Sequence, residues 1–119
     1  MSSNITDLSM RQLEQSVRVA ALPAYRQIES FPIGVDVPFE IADDFGNWCQ
    51  WVLNAADVRL TNQQRSCLIS LDTRLNRMSG EDNADLWTED ALRSRPEWEE
   101  VRSEALDLLD LFEWPEEVR

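Results

Sequence analysis

Residues 97–117, EWEEVRSEALDLLDLFEWPEE, carry nine carboxylates and one guanidinium. Carboxylates at this density can act as a general acid and base, ligate a hard cation, or recognise a positively charged surface. The residues around them decide among these chemistries. General acid–base catalysis lacks its commonest group, because the 119 residues include no histidine. Serine or cysteine nucleophiles therefore have no imidazole to activate them. The adjacent Asp43 and Asp44 are a candidate carboxylate pair for glycosidase-like work, but they fall where a helix is expected to begin, and the helix dipole favours acids there. Glu81, Asp82, Asn83 and Asp85 offer oxygen ligands for calcium. Their spacing is not that of an EF-hand, and Gly80 precedes the acids instead of following them, so a solvated loop is expected. Gly34, Gly46 and Gly80 are the only glycines and form no phosphate-cradling pattern. The expectation is a protein that is not an enzyme and carries neither metal nor cofactor.

Recognition of a cation by the acids of the C-terminal third is the remaining chemistry. At about 100° per residue, Trp98, Val101, Ala105, Leu108, Leu109 and Phe112 gather on one side of a helix, and Glu99, Glu100, Glu104, Asp107 and Asp110 on the other. Like charges three and four residues apart oppose the helix by a few tenths of a kcal/mol per pair, whereas burying each large apolar side chain contributes roughly 1.5–3 kcal/mol. The helix is expected to form, yet its charge is not explained by stability. Residues 81–119 hold fourteen acids and four arginines, a net −10, against −2 for residues 1–80. Such a field repels a nucleic-acid backbone and draws in a basic protein. Trp87 and Trp114 stand at the edges of this stretch, in the composition of an interface that steers by charge and anchors by aromatic burial. The expected partner-binding residues are Glu99, Glu100, Glu104, Asp107, Asp110, Trp87 and Trp114. Solubility alone is a competing explanation of the charge.

The elements that must position these residues read as helices. A first apolar stripe, Met10, Leu13, Val17, Ala20, Ala21, Ala24 and Ile28, predicts a helix over about 8–30, kinked or divided at Pro23. Residues 30–40, SFPIGVDVPFE, predict an irregular proline-containing connector, extended and strand-like at Ile33 to Val37. A second helix over about 38–56 places Ile41, Phe45, Trp48 and Val52 in one stripe, widened by Cys49 and Ala56. Trp51 points away from that stripe, to pack on another element or to serve as a contact residue. The third helix opens on Thr61 and Gln64 at capping-box spacing, runs through Leu68, Leu71, Leu75 and Met78, and ends at Gly80. A short link makes the second and third antiparallel neighbours. Thr88 can cap one short turn. The last helix is expected to open on a Ser94 and Glu97 capping box with Pro96 in its first turn, to continue to Phe112, and to stop at WPEE with Pro115 as the stop signal. Trp48 and Trp98 are expected in the core.

The whole is an all-α, single-domain bundle of four to five helices over 1–119, with an acidic final third at 81–119. No apolar run is long enough to span a membrane, and the N-terminus has neither the basic start nor the apolar stretch of a secretory signal, so a cytoplasmic location is expected. Cys49 and Cys67 read as two buried free thiols on neighbouring helices. All eleven cations are arginine, whose forked head suits bracing of carboxylates within the molecule.

Residues 78–102, MSGEDNADLWTEDALRSRPEWEEVR, with 42–53, ADDFGNWCQWVL, resemble small acidic bacterial proteins of the polymorphic-toxin immunity type. The resemblance covers about a third of the chain. It implies a cytoplasmic, non-enzymatic protein that blocks the active site of a cognate toxin, which is basic when that toxin acts on nucleic acid. The leading expectation is therefore an inhibitory binding protein for a basic partner such as a toxin nuclease. Three alternatives stand beside it. One is a nucleic-acid-mimicking anti-defence protein; another is an oligomeric helical adaptor, a homo-oligomer whose acidity is only solubilising; the third is a small enzyme, which would need a cleft containing a carboxylate with a raised pKa.

Overall fold

Each apolar stripe becomes the inward face of a long helix. In the computed structural model, which describes residues 4–115, the chain forms α1 (Asn4–Ala21), α2 (Ala24–Glu29), α3 (Val37–Asn54), α4 (Asn62–Arg77), a 3-10 turn (Glu81–Leu86), α5 (Glu89–Ser94) and α6 (Pro96–Leu111). Among the described residues there is no strand. The fold is all-α, with more pieces than four or five because two short helices and the 3-10 turn fill the joints between four long ones. Glu116, Glu117 and Arg119 of the acidic third lie outside the described residues.

The four long helices pack in a ring in which α1 touches α3 and α6, and α4 touches the same two. Polar contacts fix their directions. Gln50 donates to Asp72 at 3.0 Å while Arg65, earlier in α4, donates to the carbonyl of Leu53, later in α3. Ser70 meets Glu104 and Arg74 meets Glu100. Thr6, near the start of α1, donates to Asp57, just past the end of α3, so neighbours are antiparallel, in an up-down-up-down bundle. Leu13 and Val17 of α1, Phe45 and Val52 of α3, Leu68 and Leu71 of α4, and Trp98, Val101 and Ala105 of α6 are fully buried in one continuous core. Trp98 is its largest member, and its indole nitrogen donates to the Leu86 carbonyl at 2.7 Å. Trp48, expected beside it, is half-buried at the α1–α3 rim.

Local signals explain most boundaries. The Thr61 capping box forms in both directions, Gln64 N–H to Thr61 at 3.0 Å and Thr61 N–H to the Gln64 side chain at 2.9 Å. Thr88 caps α5 by accepting from Ala91 N–H at 3.0 Å. Pro23 divides the first helical stretch and itself caps α2.

Other boundaries depart from expectation. The Ser94 and Glu97 box does not form: Ser94 is still the last residue of α5, where its hydroxyl donates to the Asp90 carbonyl, so Arg95 is the N-cap of α6 and makes no side-chain cap. The segment Ile33 to Val37 is a turn, not an extended piece, because Val35 N–H closes on the Pro32 carbonyl and Gly34 takes a positive φ of 95°. Asp36 then caps α3 through Phe39 N–H, starting that helix at Val37 and ending it before Ala56. The end of α6 falls where expected, at Leu111 with Phe112 as C-cap, but the device that ends it is not Pro115. Glu113 adopts φ 60°, and Glu113 and Trp114 N–H groups close on the carbonyls of Asp110 and Leu109, a Schellman ending built without glycine.

Candidate functional site

The acidic ridge follows from the burial of α6. With Trp98, Val101, Ala105, Leu108 and Leu109 turned inward, Glu99, Glu100, Asp107 and Asp110 are exposed and Glu104 is half-buried on the side facing α4. Three of these five acids are held by the protein's own arginines. Arg74 of α4 reaches Glu104 at 2.5 Å and Glu100 at 2.9 Å, and Ser70 adds a hydroxyl at 3.4 Å from Glu104. Arg102 pairs with Glu99 at 3.3 Å. The ridge is therefore not the fully open wall that the helical periodicity implied. Asp107 and Asp110 pair with no guanidinium among the described residues. They sit near the C-terminus of the helix, where the dipole disfavours negative charge.

Pairing does not cancel the charge of the acidic third. Arg74 is shared by two acids, Arg93 by Glu89 and Asp90, and Arg95 by Asp85 and Glu97. Each of these clusters keeps an excess of one negative charge. The forked arginine head braces carboxylates here as its geometry allows.

The two tryptophans placed at the edges are occupied within the fold. Trp87 donates its indole N–H to the Met78 carbonyl at 2.7 Å and meets Trp98 edge-on, ring centres 5.3 Å apart at 86°. Trp114 stacks on Phe112 at 4.3 Å with the rings nearly parallel. Both are half-buried. Trp51 is the tryptophan that faces solvent, 43% exposed on α3.

That helix carries a second group of acids. Asp43 and Asp44 lie in its second turn, not at its start, so the helix dipole is not their explanation; Glu40 occupies the first turn. None of the three pairs with a guanidinium among the described residues. Asp44 is exposed at the cavity edge, yet partial burial of its carboxyl, and then the neighbouring Asp43, push it above its ordinary value. Asp44 and Trp48 line a cavity of about 450 Å³ between α1 and α3, with Phe31 and Arg18. Arg18 is already engaged there: Nε donates to the Pro115 carbonyl, Nη1 to Gln15, and Nη2 pairs with Glu14. The off-stripe position of Trp51 was the sequence signal for this face.

The remaining candidates offer less chemistry. Glu81, Asp82 and Asp85 spread along the 3-10 turn, and among the described residues no group of three potential ligands could hold a metal ion. Cys49 is buried with its thiol pushed up to about 12, first by burial and then by Asp72, and Cys67 is half-buried; both are free. No helix among the described residues is long and apolar enough to cross a membrane.

Compared with models of protein families, with curated proteins and with solved structures, the chain matches none.

Proposed function

We propose that this protein is a non-enzymatic inhibitor that binds a basic protein, such as a toxin nuclease, and occludes its cationic site with an acidic surface. The observation that carries the reading is the excess of acids over arginines that persists after pairing, through shared guanidiniums on the C-terminal third and unpaired acids on α3 and at the end of α6. Asp107 and Asp110 add to it, since a helix gains nothing in stability from acids near its C-terminus. Charge of this kind accelerates encounter with a cationic partner and repels nucleic acid. A nucleic-acid mimic directed at a defence protein would use the same surface.

Exposed Phe39, Trp51 and Ile69 favour a second reading, pairing between copies of the chain as a helical adaptor. Affinity capture from the source cell, followed by an activity assay of the retained protein with and without this chain, tests the first. Capture of a basic protein whose activity falls on titration is expected. Sedimentation as a concentration-dependent oligomer with no basic partner retained would contradict it.

A further inference from the structure

The outward arc of α3 differs from the acidic side of α6 in what its side chains are already doing. On α6 three of five acids are held by Arg74 and Arg102. On α3, Glu40, Asp43 and Asp44 lack a guanidinium among the described residues, and the half-exposed Trp51 lies about two turns further along the same helix, beside Asn47 and Gln50. At about 100° per residue, Glu40, Asp44, Trp51 and Trp48 fall within an arc of roughly 80°, on the flank of α3 that faces α1. This flank borders the α1–α3 cavity lined by Asp44, Trp48 and Phe31. Arg18 also lines that cavity, but its positive charge is matched by Glu14 and its nitrogens are taken. Asp44 therefore leaves the cavity with a net negative charge. A guanidinium fits such a place better than an ammonium, because its planar fork can pair with a carboxylate while its face stacks on an indole.

We propose that the α1-facing flank of α3 is the docking surface for an arginine-bearing segment of a basic protein, with Asp44 and Trp48 receiving one guanidinium at the mouth of the α1–α3 cavity and Trp51 packing alongside. The inference rests on the reading of the protein as a binder of basic partners and assigns the grip to α3, which lies diagonally across the bundle from α6. Glu40 contributes charge on the same flank, and Asp43 adds to it from the adjoining side of α3, which faces α4. Burial of the exposed Trp51 ring supplies apolar contact, which an acidic cluster alone would lack.

The test is a nuclear magnetic resonance titration of the full chain with an octa-arginine peptide, repeated with octa-lysine. Saturable shifts concentrated at the amides of α3 from 40 to 51, with tighter binding of the arginine peptide, are expected. Asp43→Asn with Asp44→Asn should weaken that binding by about tenfold, whereas Glu81→Gln with Asp82→Asn, exposed acids on the 3-10 turn, should change it by less than about twofold. Trp51→Ala, on a half-exposed residue, should weaken it without unfolding the chain, as dispersion of the amide spectrum would verify. Shifts concentrated on α6 would overturn the α3 assignment while leaving a binder of basic partners intact. Shifts spread evenly over the surface, or no saturable binding, would overturn both. Movement of the α3 amides on concentrating the chain alone would identify a second copy as the occupant and likewise overturn the proposal.

Discussion

Arg102 of α6 donates to the side-chain oxygen of Gln27 of α2 at 3.3 Å, across 75 positions of chain, with Gln27 fully buried and Arg102 only 8% exposed. The same Gln27 donates its amide to the carbonyls of Val19 and Ala20 at the end of α1, and the same Arg102 donates to the Leu92 carbonyl of α5. One polar link thus ties four helices at one end of the bundle and satisfies backbone carbonyls that the helix ends leave open. Removing Gln27 would leave a buried guanidinium and the Ala20 carbonyl short of a partner, while Val19 keeps the Leu22 N–H. Gln27→Ala is therefore expected to destabilise the fold by about 2–4 kcal/mol, read from urea denaturation.

Glu113 makes the opposite prediction. It holds φ 60° at the end of α6, a conformation that costs a side chain roughly 1–2 kcal/mol and that glycine adopts freely. The carbonyl contacts of the Schellman ending are made by the backbone, so the substitution keeps them. Glu113→Gly should raise thermal stability by an amount equivalent to about 1 kcal/mol.

Asp44 links stability to pH. Its carboxyl is raised in the folded chain by burial and by Asp43, so folding favours its protonated form. That contribution is fully present below the ordinary aspartate range and is lost as pH rises through the raised folded-state value. Asp44→Asn should therefore be more stable than the parent chain near pH 7, with the difference shrinking toward about pH 3, in paired denaturation curves.

The thiols should separate by burial. Cys49 is enclosed, with its pKa pushed up to about 12 and its sulfur against the Leu68 carbonyl, while Cys67 is half-buried at the edge of the core. The thiolate is the reactive form, so a thiol reagent at neutral pH should modify Cys67 in the native protein and reach Cys49 only on unfolding. Mass mapping of the labelled peptides reads this directly.

Periodicity and capping made the long helices legible. Leu13 and Val17, Phe45 and Val52, Leu68 and Leu71, and Trp98 and Val101 all lie on inward faces, and Thr61 and Thr88 cap where their spacing places them. Ser94 misled because its spacing to Glu97 says nothing of the helix preceding it, which claims that residue first. Glu113 could not be foreseen as a stop, since a left-handed glutamate carries no local signal. The site was less legible than the fold. Which acids face outward follows from one helix, but Arg74 lies in another, and its grip on Glu100 and Glu104 depends on how α4 and α6 align. Trp87 likewise sits at the edge of the acidic stretch in sequence, yet its indole nitrogen is used by Met78. Arg102 was visible as the one cation in residues 97–117, though Gln27, its partner, lies in a different element.

The central claim, that charge left over after internal pairing serves recognition of a basic protein, is tested most directly by the salt dependence of association. With the captured partner, stopped-flow association rates measured from about 50 to about 300 mM salt should fall by about tenfold or more while dissociation changes little. An association rate that stays constant across that range would contradict it, and would leave the acidity of this bundle with solubility as its role.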